Sequence, residues 1–133
     1  MKVILDCNIW ISFLFGKRLS GVAHIFRNPN IQIYVSEELL AELRSVVSRP
    51  KISKYISQDA IDAMWDLINE RCLMIKEYAP TNVTVRDTKD VYLLSMADAI
   101  PADILVTGDQ DLLVLKQHNN TAILAYQQFA LLL

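Results

Sequence analysis

Val3, Ile4 and Leu5 form an apolar run with no polar alternation, followed at once by Asp6, Cys7 and Asn8. A strand that is apolar at every position has to be covered on both faces, which is the situation of a central strand in a parallel sheet. The rest of the chain must supply the two covers and the neighbouring strands. With 133 residues, 53% of them hydrophobic, it has the material for one compact core. In open parallel sheets ligands bind in the crevice beyond the carboxyl ends of the strands, so Asp6 and Asn8 are placed for chemistry. Both residue types also cap helices, and from this stretch alone the two readings have equal weight.

Taken in order, the chain alternates strands and helices. Ile9 to Phe15 reads as a buried helix broken near Gly16-Lys17-Arg18, and a second helix starts near Ser20 with Val22, Ile25 and Phe26 inward. Ile31 to Val35 is a strand. Ser36 then caps a helix whose stripe is Leu39, Leu40, Leu43, Val46 and Val47. At about 100° per residue Glu42 falls beside that stripe, whereas Glu37 and Glu38 turn towards solvent. Arg49-Pro50-Lys51 ends the helix, and this basic cluster with Lys54 reads as a solvated turn. Ser57 to Arg71 is an amphipathic helix with Trp65 in the core, Leu73 to Ile75 a strand, and Ala79 to Asn82 a turn.

Further on, Asp87 reads as the cap of a helix running to Ala97, which puts Asp90 at its third position, partly inward beside Leu93, Leu94 and Ala97. A second buried strand, Asp103 to Val106, is again followed directly by carboxylates, in Thr107-Gly108-Asp109-Gln110-Asp111. One of Asp109 and Asp111 caps a short helix, and one cap needs only one of them. A strand near Ala122 to Leu124 and a helix from Tyr126 to Leu133 complete a doubly wound α/β arrangement.

Charge is unevenly spread. Residues 1–58 carry eight Lys/Arg against four Asp/Glu, and residues 59–133 five against eleven, so the second half is where acids are gathered. Asp59, Asp62, Asp66 and Glu70 fit a solvated helix face. A net charge of −2 makes any nucleic-acid contact local rather than global. Cys7 and Cys72 form no metal-ligand or disulfide pattern and are expected buried and reduced. His24 and His118 belong to no acid-base pattern and are expected to be structural. The first strand starts almost at Met1, leaving no room for a leader, and no apolar run approaches the ~18–20 residues of a membrane span. The expectation is a soluble cytoplasmic protein without a membrane partner.

Asp6 and Asp109 follow apolar strands, and Glu42 and Asp90 sit at inward helix edges. Four clustered carboxylates raise one another's pKa and are stable only around a cation. Hard oxygen donors without His or Cys select Mg²⁺ or Mn²⁺ over zinc, and such ions serve phosphodiester hydrolysis.

These residues resemble a known family, the PIN-domain ribonucleases, over essentially the whole chain. The resemblance rests on the strand leading into Asp6-Cys7-Asn8, on Glu42 in Glu38 to Leu43 running to Arg49-Pro50-Lys51, on Arg86 to Asp90, and on Ala102 to Leu112. It is nearest to the prokaryotic subgroup assigned as toxins of toxin-antitoxin pairs. It implies a single domain over residues 1–133, a three-layer α/β/α sandwich around a parallel sheet of about five strands. It implies Asp6, Glu42, Asp90 and Asp109 as catalytic residues holding one or two Mg²⁺ or Mn²⁺ ions, with Asn8, Thr107 and Asp111 as auxiliaries. The implied reaction is endoribonuclease hydrolysis of single-stranded RNA by a metal-activated water, leaving a 3′-hydroxyl and a 5′-phosphate. The implied partners are the RNA, an antitoxin reaching into the pocket, and a second copy in a homodimer.

Two positions depart from the family pattern. Cys7 stands where a Thr or Ser is common, removing a hydroxyl, and Val91 stands where many members of the subgroup carry a further Asp. The second departure leaves Asp87 as the competitor to Asp90, which is retained because Asp87 is the better cap. The alternative function is a catalytically weak or inactive PIN scaffold that binds RNA or a protein. A receiver-type signalling domain is disfavoured, because adjacent acids after the first strand and a Lys ending a late strand are both missing.

Overall fold

The structure, a computed structural model, describes residues 1–15, 19–80 and 90–133. Among the described residues six strands form one sheet: β1 (Lys2–Leu5), β2 (Gln32–Ser36), β3 (Leu73–Ile75), β4 (Ile104–Val106), β5 (Gln117–His118) and β6 (Thr121–Leu124), in the order β3-β2-β1-β4-β6-β5. β1 pairs in parallel with both β2 and β4, β2 with β3, and β4 with β6. The expected five parallel strands are therefore present. A sixth strand, β5, adds an antiparallel edge of two residues. Lys116 and Asn119 at its ends adopt positive φ (62° and 50°), which lets so short a hairpin close.

Val3, Ile4 and Leu5 of β1 and Leu105 and Val106 of β4 have no accessible surface, as unbroken apolar runs in central strands require. The chain first moves from β1 through β2 to β3, then crosses back to β4 and on to β6. Right-handed crossovers put the helices of the first excursion on one face and those of the second on the other. The first layer holds α1 (Cys7–Leu14), α2 (Leu19–Arg27), α3 (Glu37–Val47), α4 (Pro50–Ser53) and α5 (Gln58–Arg71), with α1 packed on α2, α3 and α5. The second holds α6 (Val91–Ala99) and α7 (Gln110–Leu113); α8 (Tyr126–Ala130) closes the chain. Leu93, Leu94, Ser95, Met96 and Ala97 of α6 are all buried.

The caps follow local sequence. Ser36 accepts the N–H of Leu39 at 3.2 Å and starts α3, and Ser57 accepts that of Ala60 at 3.1 Å and starts α5. Glu37 and Glu38 occupy the first turn of α3, where the helix dipole favours them. Asp59, Asp62, Asp66 and Glu70 are exposed along α5, as a solvated face should be.

Several expectations need correction. Arg49-Pro50-Lys51 does not simply stop a helix: Pro50 opens α4, because a proline at the first helical position loses no hydrogen bond. Trp65 is only half-buried, at the margin of the core, with the Arg44 guanidinium 5.5 Å from its ring centroid. Cys7 is buried, but Cys72 is half-buried; both are free thiols. The C-terminal helix ends at Ala130 rather than Leu133. Asp90 stands at the cap position of α6 instead of one turn inside it. The expected Asp87 cap, the break at Gly16-Lys17-Arg18 and part of the turn at Thr81-Asn82 lie outside the described residues. Of the histidines, His118 contacts Asp98 at 3.0 Å and His24 is exposed. Among the described residues no helix is long and apolar enough to cross a membrane.

Candidate functional site

β1 and β4 end level, Leu5 pairing with Val106, so Asp6 and Thr107 leave the sheet together where the strand order reverses. The N–H of Asp6 still donates to the Val106 carbonyl at 2.9 Å. Asp6 then caps α1. Its Oδ1 accepts the N–H of Cys7 at 2.6 Å, and its Oδ2 accepts the hydroxyl of Thr107 at 2.7 Å. Asp6 thus caps α1 and lines the crevice at the same position.

Asp6 is 5% exposed. Burial pushes its carboxyl up to about 6, the two hydrogen bonds oppose that rise, and the charges of Glu42 and Asp109 add to it. Thr107 is fully buried and its N–H donates to the Leu124 carbonyl at 3.0 Å. Its hydroxyl oxygen also accepts the N–H of Asp109 at 3.0 Å, so one side chain ties two carboxylate-bearing positions together.

Asp109 is the cap of α7, accepting the N–H of Asp111 at 2.9 Å. A hydrogen bond with Asp90 is the main cause holding the Asp109 carboxyl below the usual carboxylate range. Asp90 reaches Asp109 from the start of α6, where its side chain makes no cap bond. Glu42 comes from the middle of α3, half-buried beside the stripe as its helical phase predicts. Its Oε2 accepts the hydroxyl of Tyr92, whose own ionisation is pushed far up by burial and by Glu42.

Asp6, Glu42, Asp90 and Asp109 line a single cavity of about 290 Å³. They arrive from four different elements. Cys7 and Asn8 also face it, and Ile11 and Val46 supply its apolar wall. Burial raises the Cys7 thiol to about 12, so in the metal-free protein it is neutral near pH 7. Asn8 accepts the N–H of Gly108 at 3.3 Å, bridging the two strand-end loops. Thr107 and Asp111 do not line the cavity; they act on it through Asp6 and Asp109.

Tyr92 escapes sequence reading because it looks like one more apolar helix position, and its partner is fifty residues away. Ile11 and Val46 give no local signal either, since each reads as core. The donor set of carboxylate oxygens, with no His among the described lining residues, is chemically that of a hard divalent cation. Among the described residues, however, no three His, Cys, Asp or Glu groups are arranged to hold an ion as they stand. The carboxylates surround the cavity without converging on one point.

Residues 2–111 match the profile of a family described as the PIN domain. The fold is similar to that of a chain in the crystal structure of VapBC2 from Rickettsia felis bound to a DNA fragment from their promoter. That chain has a TM-score of 0.58 and 20% identity, and the match covers 92% of this chain and 97% of that one. No curated protein sequence matches.

Proposed function

This chain belongs to the PIN-domain family, and on that premise we propose that residues 1–133 form one PIN domain acting as a metal-dependent endoribonuclease on single-stranded RNA. The observation that carries the reading is the meeting of Asp6, Glu42, Asp90 and Asp109 in one cavity beyond the carboxyl ends of β1 and β4. Four carboxylates with no basic counterpart among the described residues that line the cavity make sense around Mg²⁺ or Mn²⁺. In this reading those four residues hold the ion, and Asn8, Thr107 and Asp111 orient them. When bound, such an ion lowers the pKa of water and stabilises negative charge on phosphate oxygens.

The residues themselves divide the work. Thr107 fixes the direction of Asp6, and Tyr92 fixes that of Glu42. Asp6, with its raised pKa, would give up its proton where these residues hold a cation. Water attacks phosphorus, the bond to the 3′ oxygen breaks, and that oxygen takes the proton, leaving a 3′-hydroxyl and a 5′-phosphate.

The likeness in fold to a chain of a VapBC2 assembly supports the toxin role, and the proposal extends to a protein antitoxin that covers the cavity and to a homodimer. A cytoplasmic location fits an RNA substrate. One observation favours a second reading, a scaffold that binds RNA or protein without cleaving it: the donors are not closed into a ligand set. Incubating end-labelled single-stranded RNA with the protein and Mn²⁺ separates the two. The nuclease reading expects cleavage that Asp6→Asn abolishes. Cleavage that persists in Asp6→Asn contradicts it, and no cleavage despite RNA binding supports the scaffold.

A further inference from the structure

We propose that the groove between α3, α4 and α5 binds a nucleotide of single-stranded RNA, with its base against Trp65 and its phosphate on Arg44. The choice of RNA as the strand rests on the nuclease reading; the groove lies outside the carboxylate cavity and is argued from its own residues.

α3 divides the two sites. Glu42 and Val46 line the carboxylate cavity, whereas Arg44, Val47 and Ser48 line the groove. At about 100° per residue the two sets fall on nearly opposite sides of the helix. The groove holds about 430 Å³, against about 290 Å³ for the carboxylate cavity, and no carboxylate is among its described lining residues. Val47, Ile56 and Ile61 are buried and form its floor. Trp65 is half-buried in its wall, with the Arg44 guanidinium 5.5 Å from the ring centroid.

Three features suit a nucleotide. The first is charge. From Leu43 to Gln58 the chain carries Arg44, Arg49, Lys51 and Lys54 and no acid, in a protein of net charge −2, and all four cations are exposed. Lys51 and Lys54 lie within two residues of the groove-lining Ser53 and Ile56, so the basic cluster borders the groove and gives it a local positive field. The exposed acids of α5, Asp59, Asp62 and Asp66, do not line it. The second feature is the indole beside a guanidinium, since unstacked bases pack on both kinds of plane. Among the described residues Arg44 pairs with no carboxylate, so its fork is available to a phosphate. The third is hydrogen bonding. Ser53 and Gln58 line the groove, and Gln58, which donates to Asp62 at 2.9 Å, keeps its amide oxygen as an acceptor for a base edge.

The test follows a labelled octauridylate by fluorescence anisotropy across a salt series in EDTA, together with tryptophan emission, and measures cleavage in Mn²⁺ in parallel. Trp10, the other tryptophan, is fully buried, so quenching by a bound base reports on Trp65. The parent is expected to bind saturably and to be quenched. Trp65→Phe loses the quenching but keeps most of the affinity, because a phenyl ring still stacks, and Trp65→Leu weakens binding about tenfold. Arg44→Gln weakens binding and flattens the log–log salt slope by about 0.7, the value for one single-strand phosphate. Arg44 is exposed, so this variant carries the test if Trp65→Leu unfolds. No binding, binding without quenching, or an unchanged slope in Arg44→Gln overturns the proposal. So does poly-L-glutamate that competes as well as unlabelled octauridylate, because the groove would then seat an acidic polypeptide. Binding that depends on Arg44 and Trp65 in a parent that does not cleave RNA sinks the nuclease reading and leaves the groove standing; cleavage with binding indifferent to both residues does the reverse.

Discussion

Thr107 donates its hydroxyl to Oδ2 of Asp6 across 2.7 Å, joining the residue that follows β4 to the residue that follows β1. Because the same oxygen accepts the Asp109 N–H, the bond fixes the separation of two carboxylates that lie 103 positions apart in the chain.

Replacing Thr107 with Val keeps the shape and removes both bonds. Asp6 loses a partner that favours its charged form, so its pKa rises further. The expected cost is about 1–3 kcal/mol of stability from the buried groups left unsatisfied. Activity in Mn²⁺ falls about 10–100-fold, as when a group behind a metal ligand is lost. Urea unfolding and the pH profile of cleavage check this, and the acid limb of the profile should move to higher pH.

Asp6 also makes the metal-free protein sensitive to pH. Its carboxyl rises from 3.8 to about 6 on folding, so the native state binds a proton more tightly than the unfolded chain. The stabilisation is complete below pH 3.8 and is lost as pH rises through about 6. It amounts to about 3 kcal/mol, from a shift of roughly two units at 1.36 kcal/mol each. Unfolding midpoints of the parent and of Asp6→Asn in EDTA, compared between pH 4 and pH 7, should diverge by that amount, with the parent losing ground as pH rises. Parallel curves would show that Asp6 is not the titrating group.

Tyr92→Phe removes the hydroxyl that fixes Glu42 and leaves the ring in place. Stability should fall by about 1 kcal/mol, the net worth of one hydrogen bond. Mn²⁺ affinity should fall about tenfold, because Glu42 must then be ordered by the ion itself. Thermal melts with and without Mn²⁺ separate the two effects: a purely structural Tyr92 changes both melts equally.

How much of this was legible in the sequence depends on whether a signal was local. Val3-Ile4-Leu5 and Ile104-Leu105-Val106 announce buried strands by composition alone, and Asp6 and Asp109 after them line the cavity. Glu42 was legible from helical phase, since its neighbours Leu39, Leu43 and Val46 mark the inward stripe. Asp90 was placed in the correct helix but at the wrong position, because its phase was counted from Asp87. β5 went unseen: two residues cannot show alternation, although Asn119-Asn120 carried a turn signal. Tyr92 gave no signal because its partner, Glu42, is distant in sequence.

The central claim is that the cavity between Asp6, Glu42, Asp90 and Asp109 is built to take a divalent ion. Calorimetric titration of Mn²⁺ into the EDTA-stripped, dialysed protein tests it directly. The account predicts saturable binding that weakens as pH falls through 6, where Asp6 takes up its proton, and that Asp6→Asn eliminates. Equal binding by the parent and Asp6→Asn, or no binding by either, would contradict it.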